Sequence, residues 1–222
     1  VTKCLPRGTC TLPTSAILRK TLTGTACGLL ATALLALNWN LAWWKVSPVV
    51  DYITLGLEYY LLLMFTTTML IAVYRLLGYE VAEFFNRPLY SLSPREFWSR
   101  WNLPVQEWLA YNVFGMFGRG SGRKRLAAGV FLSFVASGLL HEYVVSLASC
   151  TINGFMLTYF VIQSLACLLS IRLRRRPPRF LVNYTGAKGL KIAQWALTMA
   201  CFAIPGILFI HNLKKVFPLN EF

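Results

Sequence analysis

Apolar residues fill five windows of the chain, and polar residues are largely confined to the segments between them. The windows run Leu22–Trp44, Tyr52–Leu77, Leu126–Ala148, Phe155–Ile171 and Ile192–Ile210. A helix needs about 20 apolar residues to cross a bilayer, and all five windows are long enough to span one, the fourth being the shortest. The pattern predicts an all-α fold: a multi-pass transmembrane helical bundle of about five spans, with interfacial amphipathic helices between the second and third. The first window closes on an aromatic girdle, Asn38 to Trp44, and a short connection through Pro48 and Asp51 makes the first two spans a hairpin. Tyr79 to Tyr90 reads as an amphipathic stretch. A helix start follows: Ser93 as N-cap, Pro94 in the first turn, and Glu96 placed to close a capping box. The next residues put Phe97, Trp98 and Trp101 on one face. Pro104 ends that helix and starts a second one through Trp108 and Val113. Gly115 to Arg125 is a loop rich in glycine and arginine.

Charge supports the count of spans. If five spans alternate, 19 of the 22 lysines and arginines fall on one side of the membrane, leaving Lys45, Lys214 and Lys215 on the other. That asymmetry is what the positive-inside rule demands, with the basic side in the cytosol, stroma or matrix. The formal net charge of +14 is therefore topology and contact with lipid headgroups. It lies in loops next to spans and argues against a nucleic-acid partner. With 56% hydrophobic and 14% charged residues, the composition lies outside that of soluble domains. Cys27, Cys150, Cys167 and Cys201 lie in or beside spans as small apolar packers. Cys4 and Cys10 could pair, and no metal-ligand spacing is present. Residues 1–21 form a basic tail without an acid, resembling the end of an organelle transit segment. They precede a single transmembrane domain over 22–222. Together these features point to an organelle inner membrane, mitochondrial or plastid, or to the endoplasmic reticulum.

The third window contains two ionisable residues, and they are adjacent: His141 and Glu142. Ionisable groups at bilayer depth are costly and are functional candidates by default. His141 lies about 22 Å along a helix that starts at Leu126. Phe134, Ser137 and Val145 share its face, so Ser137 can bond the imidazole or line its pocket. Gly138 lets a neighbouring helix or substrate come close. A neutral imidazole there suits general-base catalysis, while a purely structural tie between helices is an equal alternative. Glu142 projects away and fits an interhelical hydrogen bond better. Asn102, next to the tryptophans, offers an amide to a developing oxyanion, or simply ends a helix before Pro104. Trp98 and Trp101 suit a substrate wall or an ordinary interface anchor. Glu58 in the second window is another intramembrane carboxylate that needs a partner.

Taken together, Asn86-Arg87-Pro88, Ser93 to Asn102 and Ser137 to Glu142 resemble the membrane-bound O-acyltransferase superfamily, most of all its wax-synthase branch. The resemblance is clearest over residues 84–145. It implies a helical bundle around a tunnel and transfer of an acyl group from acyl-CoA to a hydroxyl. No resident cofactor is implied; acyl-CoA is a co-substrate, and in that branch the acceptor is a long-chain alcohol. His141 matches the family's catalytic histidine and Asn102 its polar partner. Trp98, Trp101 and Ser137 would line the substrate path, and Arg119, Arg123 and Lys124 would meet the CoA phosphates. Family members are longer and carry more spans, so a shortened N-terminal part is expected.

Two readings stand at this level. One is an active acyltransferase of wax-ester type with membrane-lipid substrates. The other is an inactive descendant kept as an accessory subunit of a large organellar membrane complex. A transporter or channel is disfavoured, because the chain has no repeat and no polar pathway.

Overall fold

The structure, a computed structural model, describes residues 14–41, 45, 47–79, 81–117, 122–175 and 188–216. Among them every long element is a helix: α1 (Thr14–Leu41), α2 (Pro48–Leu76), α6 (Arg123–Ser149), α7 (Phe155–Arg175) and α8 (Lys188–Val216). Among the described residues between α2 and α6 lie only short pieces. These are a 3-10 turn (Pro88–Tyr90), α3 (Pro94–Trp98), α4 (Leu103–Leu109), a π-helical turn (Ala110–Phe114) and α5 (Gly115–Phe117). Among the described residues, five helices are long and apolar enough to cross a membrane, at Ile17–Leu41, Pro48–Leu76, Arg123–Ser149, Phe155–Leu173 and Gly189–Val216. The chain is an all-α, multi-pass integral membrane protein. Large apolar side chains face outward all along these helices, Leu29 at 68% exposure and Leu76 at 71% among them. That surface suits lipid rather than water.

The described residues form two compact units, the first ending in the chain at Phe84 and the second beginning at Phe85. In the first, α1 and α2 pack as the expected hairpin. Gly28 makes close approach feasible: a Cβ there would lie 2.8 Å from Cδ2 of Phe65. Glu58 finds its partner on α1, where Asn38 Nδ2 donates to Glu58 Oε1 at 3.2 Å. Both residues are buried. Beyond the other end of the hairpin, Glu83 accepts from Arg75 Nη2 at 2.9 Å and also pairs with Lys20. The far part of the aromatic girdle, Trp43 and Trp44, lies outside the described residues, as do Cys4, Cys10 and most of the basic tail.

In the second unit α7 is the hub, with α6, α8 and α3 all packed on it. The π-helical turn and α5 lean on α6. The segment before α3 is held by its own backbone and by α8: Asn86 N–H donates to the Arg100 carbonyl at 2.9 Å, and Trp195 Nε1 donates to the Leu89 carbonyl at 2.7 Å. The capping box forms with one change. Ser93 Oγ accepts from Glu96 N–H as expected, but the Glu96 carboxylate returns to Leu92 N–H at 2.8 Å instead of to the cap residue itself. It also takes Arg100 Nη2 at 2.6 Å. The helix stops at Trp98, earlier than the sequence pattern suggests, and the second begins at Leu103.

Candidate active site

His141 sits in the last third of α6. Its Nδ1 lies 2.8 Å from the Ser137 carbonyl one turn earlier. A carbonyl oxygen only accepts, so Nδ1 carries the hydrogen and the lone pair is on Nε2. The bond runs to the backbone of Ser137, which is buried, and not to its hydroxyl. Two rings from the neighbouring spans hold the imidazole: Phe160 of α7 at 4.7 Å between centroids and Phe209 of α8 at 5.9 Å. Gly138, on the same stretch of α6, is what lets α7 come this near. A Cβ there would lie 3.0 Å from Phe160 Cβ and 3.1 Å from the Leu157 Cα.

The aromatic block reaches the same place from the loop side. Trp98 leaves α3 and touches a ring on each of the three spans: Phe134 of α6 at 5.2 Å, Phe160 of α7 at 5.8 Å and Phe202 of α8 at 5.6 Å. It therefore shares Phe160 with His141. Its indole Nε1 donates to Gln163 Oε1 at 3.3 Å. Gln163 is fully buried, and its Nε2 donates to the Cys201 carbonyl at 2.9 Å. That carbonyl is free for a physical reason. Pro205 stands four residues on inside α8, and proline has no N–H to give it. Gln163 was not among the residues singled out from the sequence. The signal was a lone amide in an apolar window, paired with a proline in another.

Trp101 stacks on Phe97 at 5.3 Å and 17°, with Phe85 at 4.7 Å on it as well. Asn102 takes the left-handed conformation, φ 44° and ψ 61°, at the junction of α3 and α4. Asparagine tolerates that region better than most residues. Its Oδ1 is buried and has no hydrogen-bond partner among the described residues. Among the described residues no hydrogen bond joins it to His141. Arg123 and Lys124 are exposed at the start of α6, and Arg119 lies outside the described residues.

Glu142 makes the interhelical bonds expected of it, and all are to backbone. Oε1 accepts from Asn153 N–H at 3.2 Å and Gly154 N–H at 2.8 Å. Oε2 accepts from Met156 N–H at 3.0 Å and Leu157 N–H at 3.4 Å. The carboxylate thus sits on the N-terminus of α7, where the helix dipole favours negative charge.

A multi-pass helical protein with a tautomer-fixed imidazole inside a span, walled by aromatic rings, defines a class as well as a site. The chain belongs to the membrane-bound O-acyltransferase family, MBOAT, whose model matches residues 32–182. The chain is also similar to two curated enzymes, each named diacylglycerol O-acyltransferase 1. One is from Chlorocebus aethiops, 40% identical over 76 residues, and one from Homo sapiens, 38% identical over 76 residues. The matched stretch is 34% of this chain and 15% of each relative, so the chain spans a minor part of the curated relatives it matches.

Proposed function

We propose that this chain carries the acyl-transfer centre of a membrane O-acyltransferase, with His141 as general base. One observation supports this above the others. The Nδ1–H···O=C bond to Ser137 commits the imidazole to a single tautomer and leaves Nε2 as the basic nitrogen. In the reaction, Nε2 takes the proton of a lipid hydroxyl as its oxygen attacks the acyl-CoA thioester carbonyl. The C–S bond breaks, the proton passes from the imidazolium to the departing sulfur, and ester and free CoA leave. Nothing else is consumed. The amide of Asn102 is the candidate donor to the oxyanion, and Trp98 a wall of the acyl path. Trp101 braces that wall. Arg123 and Lys124 present positive charge for CoA phosphates, a role shared by Arg119.

Two acceptor classes fit. A long-chain alcohol, giving wax esters, follows from the sequence resemblance. The relatives' names favour a glyceride hydroxyl. Purified protein given radiolabelled acyl-CoA and each acceptor in turn should form ester. His141→Ala should lower the rate by a factor of about 100 to 10,000 while the protein stays folded. If no alcohol or glyceride acceptor is esterified, and the protein is instead recovered in fixed ratio with a larger assembly, the accessory-subunit reading replaces this one.

A further inference from the structure

The far ends of α6, α7 and α8 are joined by a polar clamp that the reaction itself does not use. The four first N–H groups of any helix need partners outside it, and at α7 all four can be traced. Phe155 N–H donates to Asn153 Oδ1 at 3.0 Å. Met156 and Leu157 N–H donate to Glu142 Oε2. Gly154 N–H, at the cap position, donates to Glu142 Oε1 at 2.8 Å. Asn153 then binds α8 through a reciprocal amide pair. Its Nδ2 donates to Asn212 Oδ1 at 2.6 Å, and Asn212 Nδ2 donates back to Asn153 Oδ1 at 3.0 Å. Asn212 is fully buried.

Each of the three helices carries one clamp residue and, within a turn of it, one member of the histidine cage. Glu142 adjoins His141 on α6. Met156, held by Glu142, lies four residues before Phe160 on α7. Asn212 lies three residues after Phe209 on α8. We propose that Glu142 is a positioning residue. Through the α7 N-terminus and the Asn153–Asn212 pair it fixes the rotation of α6 against its neighbours, and so keeps the His141 imidazole packed between Phe160 and Phe209, the seat that holds the ring on the Ser137 carbonyl and thereby in one tautomer. This rests on the general-base reading above.

Glu142→Gln tests it, because glutamine keeps the size but turns an NH2 group toward N–H donors. Turnover should fall about ten- to a hundredfold, with KM for acyl-CoA and acceptor changed less than about twofold. The chain has two histidines, so histidine-selective 15N NMR reads His141 directly once the signals lost in His141→Gln are assigned. Wild type should show the Nδ1–H tautomer alone, and Glu142→Gln a mixture. Asn212→Leu, which leaves Glu142 in place, should shift both readouts the same way by less. A clamp that merely stabilised the fold would lower the melting temperature and leave the tautomer of folded molecules unchanged. A single tautomer in both variants, or wild-type turnover in Glu142→Gln, overturns the proposal. Retained ester synthesis in His141→Ala would instead sink the general-base reading, and the NMR result would still judge the clamp.

Discussion

Gln163 shows how a single side chain can couple a short helix, α3, to two spans. It accepts from Trp98 and donates to the carbonyl that Pro205 leaves open. Gln163→Met would leave the indole N–H and the Cys201 carbonyl without their partner. Interhelical hydrogen bonds in membranes contribute about 1 kcal/mol or less each, while an orphaned buried group costs about 1–3 kcal/mol. The variant should lose about 2 kcal/mol of stability in detergent, measured by thermal unfolding. Pro205→Ala offers the Cys201 carbonyl a helical N–H. In that background Gln163→Met should cost about half as much, and full additivity would show that the carbonyl is satisfied some other way. His141 and Glu142 were legible in the sequence because a charge interrupts an apolar window visibly. Gln163 was not, because a neutral amide barely disturbs the window and its acceptor on α8 lies 38 residues away. Nor does any local pattern announce Asn153 and Asn212, which are 59 residues apart.

At the scale of elements, the apolar windows located the spans well and their ends poorly. α1 begins at Thr14, ahead of the window opening at Leu22, and α8 runs on to Val216, past Ile210. Hydropathy marks the thickness of the bilayer, whereas a helix continues until its hydrogen bonds are ended. The early stop of α3 has such a cause: Asn102 turns left-handed at φ 44°, a conformation that a continuing α-helix does not hold. Pro104 gives no N–H to the Arg100 carbonyl, and Asn86 N–H occupies it instead. The same vacancy is therefore used twice in this unit, by Asn86 at Arg100 and by Gln163 at Cys201, each time to anchor the segment around α3. Gly138 is the third device at this scale. Because its nearest neighbours include the α7 backbone, Gly138→Ala has to push two helices apart. That should cost about 1–3 kcal/mol and also lower turnover, since Phe160 moves with α7 and no longer flanks His141. A stability loss with unchanged turnover would show that the cage tolerates the wider spacing.

For the molecule as a whole, charge and architecture assign opposite faces to the two ends of the second unit. The exposed Arg123 and Lys124 open α6, and exposed Cys150 closes it. The 27 residues between the helix bounds span about 40 Å at 1.5 Å per residue, enough to cross the hydrocarbon core and both its interfaces. Two further spans follow, so Lys215, exposed near the end of α8, must share the face of Cys150. The clamp of Glu142, Asn153 and Asn212 lies toward that second face, and the exposed basic start of α6, the proposed entry for CoA phosphates, toward the first. A substrate with a charged carrier and an apolar tail would then approach His141 from one side only. In sealed vesicles of a variant with Cys150 as its single cysteine, an impermeant maleimide should react from the side away from the basic loops. Lys124→Cys in a cysteine-free background should react from the other side, and Lys215→Cys should follow Cys150. Labelling of positions 124 and 150 from the same side would mean that α6 does not cross the membrane, and would remove the basis for CoA entry at its arginine-rich end.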